Sequence, residues 1–308
     1  MDKSLVKGHA ATFGANVMWG LMAPVAKLVM AAGIVSPLLM GGFRMAGAAI
    51  LFWIASLFVP RQHVPFADLL RLAGAAMLGI VFNQGCYLFG VSLSSPGEAS
   101  VITTTMPLWV MLLAALILKE PVTLRKIGGI VIGGAGALIL VMSNTGSSGS
   151  ESGSSPVAGD LLVLTAQLSY ALYLTFYRNF IRKYSVITLM KWMFAFATVA
   201  VAPFVIPEAL STDWNLVTPV MSAGVAYVVV GGTFLAYILV MTGQQILRPT
   251  LIGMYNYVQP IVASAIGIAM GFDSFTPLKA LAVVLVFGGV FLVNISKAAP
   301  SPVTPENN

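Results

Sequence analysis

The chain has 308 residues, of which 58% are hydrophobic and 8% charged, and its mean hydropathy is +0.92. Ordinary globular domains carry about a quarter charged residues, so this composition excludes a soluble fold with a polar exterior and points to an integral membrane protein. One cysteine, Cys86, and two histidines, His9 and His63, leave no disulfide framework and argue against a transition-metal site, and no cofactor is implied.

A membrane-crossing helix needs about 20 mostly apolar residues. That rule predicts ten spans, at about 9–30, 36–59, 70–91, 97–118, 125–143, 159–180, 187–207, 219–241, 249–270 and 277–295. The first run is long and lacks a small-residue cleavage pattern, so it reads as a retained span. The Ser- and Gly-rich segment 144–157 reads as a linker between residues 1–143 and 158–297. The Pro-rich polar tail, 298–308, reads as disordered.

The two halves repeat one layout. In Pro96–Val141 an apolar helix, a charged break and a Gly-rich apolar helix follow one another, and the same order returns 153 residues later. Pro96 falls on Pro249, Pro107 on Pro260, Glu120 on Asp273, Thr123 on Thr276, Lys126 on Lys279 and Gly136 on Gly289. The first helices match at an offset of 151, where Asn16, Trp19, Gly20 and Lys27 fall on Gln167, Tyr170, Ala171 and Arg178. Each set recurs at helical spacing, so it lies on one face. That face carries an amide, a ring, a small residue and a cation, and is not one made for lipid.

Basic residues set the orientation. With a cytoplasmic N-terminus, the inner connections carry Arg61, Arg71, Lys119, Arg125, Lys126, Arg182, Lys183 and Arg248, and the tail adds Lys297. The outer connections carry Glu98, Glu151, Asp160, Glu208, Asp213 and Asp273, with Lys279 the one clear base. This asymmetry accounts for the net charge of +6 without nucleic acid, and it puts both termini in the cytoplasm. Five spans per half is an odd number, so the second half is expected upside down relative to the first. Inverted repeats are the mark of alternating-access transporters, with a site near the midplane between the halves.

These residues resemble the drug/metabolite transporter superfamily, EamA type. The resemblance rests on two five-span repeats, the segment KEPVTLRKIGGIVIGGAGALILV at 119–141, NVMWG at 16–20, and a proline in spans four and nine. The second copy departs from the pattern with Asp273 where the family has glutamate. The resemblance implies an all-α basket of ten helices around a central cavity, in a bacterial inner membrane, exporting amino acids or other small metabolites. Spans 1, 3, 4, 6, 8 and 9 would line the cavity.

Polar groups in a bilayer need a reason to be there. Asn83 and Tyr87 lie four apart on span 3. Thr103, Thr104 and Pro107 mark span 4. Tyr237 stands on span 8, and Tyr255, Asn256, Tyr257, Gln259 and Pro260 form the densest polar cluster, on span 9. Asn16, Trp19, Gln167 and Tyr170 complete a candidate substrate site. Tyr255 and Tyr257 cannot share a face, so one of them is expected to pack. Ser and Thr also bond back to their own helix or glue neighbours, and Pro107 and Pro260 are either hinges or static kinks.

Arg44 lies roughly 10 Å into span 2 at 1.5 Å per residue. It is either a functional cation or an arginine reaching to the outer headgroups. Lys191 is its counterpart in span 7, whereas Lys27 and Arg178 are expected at the interfaces. No acid falls at the centre of any span, which disfavours a proton-for-cation antiporter like the related small multidrug resistance proteins. The expected solute is neutral or zwitterionic, with an anion as the alternative through Arg44 and Lys191. Gly129 and Gly133 are spaced for close packing, against span 10 or against a second copy, so the chain is read as a monomer or homodimer.

The leading reading is a secondary transporter of a small metabolite, an exporter rather than an importer. An intramembrane enzyme would need a catalytic set at membrane depth, and the sequence offers none. A receptor or scaffold without transport is the remaining alternative.

Overall fold

Helix ends follow the residues that can cap them. In the computed structural model, which describes residues 3–30, 33–93, 102–145, 156–269 and 276–296, four helices begin at a Ser or Thr whose hydroxyl accepts the N–H three residues on. These caps are Ser36, Ser185, Thr218 and Thr276. Three of them are followed directly by proline, which costs nothing at a first helical position. Pro96, Glu98, Asp273, most of the 144–157 linker and the 298–308 tail lie outside the described residues, as does the side chain of Lys27.

The regular elements among the described residues are all helical. We label them α1 (Lys3–Met30), α2 (Pro37–Ala55), α3 (Phe66–Ala76, Met77–Phe82 and Asn83–Leu93), α4 (Met106–Leu118) and α5 (Leu124–Thr145). They continue as α6 (Pro156–Phe176), α7 (Val186–Ser211), α8 (Pro219–Val229, Val230–Leu235 and Ala236–Ile246), α9 (Pro249–Tyr255), α10 (Val258–Ala269) and α11 (Pro277–Asn294). Six segments are long and apolar enough to cross a membrane: α2, Phe66–Gly90, Val157–Phe176, α7, Pro219–Ile246 and α11; α4 is a shorter apolar helix. Large apolar side chains such as Leu57, Leu116, Phe204, Val220 and Phe291 cover the outer surface.

Two features depart from simple apolar spans. The central turns of α3 and α8, Met77–Phe82 and Val230–Leu235, are π-helical, and they stand 153 residues apart. The segments expected as continuous helices at 97–118 and 249–270 are instead interrupted. Turns at Thr104–Thr105 and at Asn256–Tyr257 separate the pieces. The cause lies in Pro107 and Pro260, which have no N–H for the carbonyl one turn earlier. The chain tightens there, with Asn256 N bonding Gly253 O at 3.1 Å and Tyr257 N bonding Met254 O at 3.2 Å.

The helices pack in pairs: α1 on α8, α3 on α6, α2 on α7 and α5 on α11. The last pair is the tightest because small residues let the backbones meet. A Cβ added at Gly289 would lie 2.5 Å from the Gly129 carbonyl oxygen, and one at Gly136 would lie 2.6 Å from the Ala282 carbonyl. Tyr257 fills the space beside Gly133 and Gly134.

This contact gives a direct test. Gly289→Val forces α5 and α11 apart and is expected to cost at least ~1–3 kcal/mol, the usual range for overpacking. Gly288→Ala is the control, because a Cβ there meets nothing within 4 Å. Thermal unfolding of both variants in detergent measures the difference.

Candidate functional site

The π turns of α3 and α8 place the polar residues that follow them. A π turn leaves a main-chain carbonyl unpaired, and neighbouring helices supply the donor. Ser169 on α6 donates to Leu78 O at 2.8 Å, and the Trp19 indole on α1 donates to Gly232 O at 3.0 Å. Within α8, the Thr233 hydroxyl closes the gap by donating to Val228 O at 2.8 Å.

Arg44 meets this turn. Its Nε donates to Thr233 Oγ1 at 3.1 Å, and the residue is 8% exposed. It is therefore buried in the bundle with its Nε spent on α8. The phenols of Tyr87 and Tyr237 lie within electrostatic range of it. Gln84 Nε2 donates to the Tyr237 hydroxyl at 2.7 Å, and Gln84 Oε1 is buried without a partner. Trp19 and Phe194 both stand edge-on to Tyr237, with centroids 5.8 and 4.9 Å away. Tyr87 is 36% exposed and lies within electrostatic range of the buried Arg44.

A second set is made of amides. Gln259 Nε2 donates to Asn16 Oδ1 at 3.0 Å and to Asn256 Oδ1 at 3.3 Å, which joins α1 to the α9–α10 break. Asn16 Nδ2 bonds back to Thr12 O at 2.8 Å. A third set lies on α6 and α8, where Gln244 bonds both the Tyr170 and the Tyr173 hydroxyls, at 2.8 and 3.0 Å.

The other residues singled out by sequence are placed as follows. Asn83 Nδ2 is taken by Ala166 O at 2.9 Å, a helix-joining bond. Tyr255 shares a 2.7 Å hydrogen bond with His9 Nδ1. Tyr257 is the packed member of its pair, with its hydroxyl on Thr104 O at 3.2 Å. Thr104 is buried and Thr103 half-buried. Gln167 is buried on α6. Pro107 and Pro260 lie in the first turn of the helical pieces after the two breaks, which begin at Met106 and Val258. Lys191 stacks on Trp53 and Trp192, 4.9 and 5.9 Å from their ring centroids, an arrangement that occupies its charge.

One ionic cluster was not expected from the sequence. Glu120, 3% exposed, accepts from Lys126 Nζ at 3.0 Å, Arg178 Nη1 at 3.1 Å and Thr250 Oγ1 at 3.1 Å. Arg178 is therefore ion-paired with Glu120. Elsewhere, Asp68 accepts from Lys183 and from the Tyr184 hydroxyl. The Asp68 bond holds the Lys183 pKa above its ordinary value. Gln84, Thr233 and Glu120 were the missed residues. Gln84 had a signal in its three-residue spacing from Tyr87, but the π turn rotates everything after it. Among the described residues no group of three or more His, Cys, Asp or Glu could hold a metal ion.

Comparison with known proteins follows this architecture. The profile of the EamA-like transporter family matches residues 6–142 and again residues 157–295, so the chain belongs to that family. It is 27% identical over 303 residues to the uncharacterized inner membrane transporter YedA of Escherichia coli, covering 96% of this chain and 93% of YedA. An uncharacterized transporter of Archaeoglobus fulgidus is 26% identical over 228 residues, covering 73% of this chain and 76% of that one. Protein PecM of Dickeya dadantii is 25% identical over 287 residues, covering 91% and 90%. A solved crystal structure of a protein shares the fold with a TM-score of 0.76 at 19% identity, over 94% of this chain and 96% of that one. The chain is a multi-pass membrane protein of a transporter family.

The Glu120 cluster predicts a stability effect. Glu120→Ala leaves Lys126 and Arg178 without their shared carboxylate and is expected to destabilise by about 3–5 kcal/mol. Glu120→Met with Lys126→Leu removes charge from both sides and recovers part of that loss. Thermal unfolding of the two variants in detergent separates these outcomes.

Proposed function

We propose that this member of the EamA-like transporter family is a secondary transporter that carries a small organic solute by alternating access. Its substrate site lies among α1, α2, α3, α6, α8 and the α9–α10 break. In this reading residues 1–143 and 158–297 are inverted five-span repeats, ten spans in all, with both termini on the cytoplasmic side.

One observation carries the reading: Gln84 and Tyr237, equivalent positions 153 residues apart, hydrogen-bond to each other beside Arg44. Equivalent residues touch only near the axis that relates two copies. Thr104 and Tyr257 are also 153 apart and also bonded. The pairing of α1 with α8 mirrors that of α6 with α3, and the close contact of Gly129 with Gly289 mirrors that of Gly136 with Ala282. Transporters built this way hold the solute at the repeat interface and rock one part against the other. Polar residues there are the costly ones that a solute can use. The contacts of Glu120 with Arg178 and Thr250, and of Asp68 with Lys183, would close the cytoplasmic end and break when it opens. The basic residues of the inner connections support that sidedness.

Reconstituted vesicles test the proposal. Saturable uptake that speeds up when unlabelled solute is loaded on the far side is the expected result, and loading each side in turn gives the preferred direction. Gln259→Ala, which removes the donor shared by Asn16 and Asn256, should slow flux about tenfold, the scale of one hydrogen bond of this kind, with membrane yield unchanged. Folded protein that moves no member of a broad solute panel would sink the reading.

A further inference from the structure

Arg44 has more donors than the protein uses. A guanidinium carries five N–H bonds in a rigid fork. Here Nε is held by Thr233 Oγ1 at 3.1 Å, while neither Nη nitrogen bonds a described residue and the side chain is 8% exposed. Thr233 is a neutral acceptor, because its own proton goes to Val228 O. None of the ion pairs among the described residues includes Arg44. Two described acids, Glu120 and Asp68, are held by Lys126, Arg178 and Lys183. A cation this buried is costly without an anion.

Other unused groups stand beside it. The Tyr87 hydroxyl forms no hydrogen bond and lies on a residue 36% exposed. Gln84, 5% exposed, keeps its Oε1 unpartnered next to Tyr237. Trp19, Tyr237 and Phe194 form an edge-to-face aromatic wall on the same side as the Gln84–Tyr237 bond.

We infer that Arg44 is the receptor for a carboxylate on the solute, with Tyr87 as a second donor, and that the carried class is an organic monocarboxylate with an apolar, ring-sized body. The inference rests on the transport reading above and names its substrate. The guanidinium fork matches both oxygens of a carboxylate. The aromatic wall takes the apolar body. Among the described residues no acid pairs with Arg44, and the unpartnered acceptor beside it that an ammonium would meet is the neutral Gln84 oxygen. The order of preference is therefore carboxylate, then amino acid, then neutral amide, with the amine last. Of the two solute classes expected from sequence, this takes the anion through Arg44 over the neutral or zwitterionic solute. Lys191, the other candidate cation, is occupied by Trp53 and Trp192.

The test uses the full chain and probes that share one ring: phenylacetate, phenylalanine, phenylacetamide and phenethylamine. Ligand binding to the folded state raises apparent thermal stability by mass action. Phenylacetate should give the largest shift in detergent and phenethylamine none. Arg44→Gln should abolish the phenylacetate shift, and Arg44→Lys should retain part of it. Tyr87→Phe removes only a hydroxyl on an exposed ring, so it keeps the test open if Arg44 variants fail to fold; it should weaken phenylacetate about tenfold. The inference is overturned if the amide or the amine stabilises as well as phenylacetate, or if phenylacetate gives no shift at millimolar concentration. It is also overturned if Tyr87→Phe and a folded Arg44→Gln both bind like the unaltered chain. The same labelled probes in vesicles, against protein-free vesicles, separate the two readings. Phenylacetate binding without flux supports the receptor and refutes transport, whereas flux of the amide or amine alone supports transport and refutes the carboxylate.

Discussion

Hydrocarbon neither donates nor accepts hydrogen bonds, so each polar group at membrane depth must find its partner inside the chain. Most of the polar residues here obey by joining helices. Asn83 takes a carbonyl of α6, Trp19 takes a carbonyl of α8, and Gln244 ties two tyrosines. Such bonds leave nothing for a solute. Arg44 and Tyr87 stand out because the fold leaves their donors open. The same constraint that stabilises the bundle therefore marks the place where it is incomplete.

The glycine seam of α5 and α11 serves a different purpose. Its backbones touch at Gly129, Gly133 and Gly289, and no polar residue of the candidate site lies there. A seam packed this closely transmits force rather than yielding to it.

Helices were readable from the sequence because apolar runs of about 20 residues have few other uses. The Gly and Pro positions that shape α5, α9 and α11 were readable too, since those residues act through the backbone. Faces were harder. A helix of 3.6 residues per turn puts Asn83 and Tyr87 together, but the π turn at Met77–Phe82 precedes them, and it is Gln84 that meets Tyr237 across the bundle. The Glu120 cluster was hidden for another reason. Its members come from the break before α5, the end of α6 and the start of α9, and no local pattern joins residues 58 and 130 positions apart. The partner of Arg178 was hidden because its acid is remote in the chain.

The π turns also carry a record. A π turn is an α-helix holding one residue more than its hydrogen bonds can accommodate. The surplus occurs at Met77–Phe82 and at Val230–Leu235, the same position in each of the two segments that match one family profile. Had it been inserted twice, independently, there would be no reason for the offset to equal that of the prolines and glycines. One shared offset is what duplication of a unit already carrying the π turn would leave behind. In the repeat reading proposed above, the Gln84–Tyr237 bond joins equivalent positions, the place where such a unit would have met its own copy.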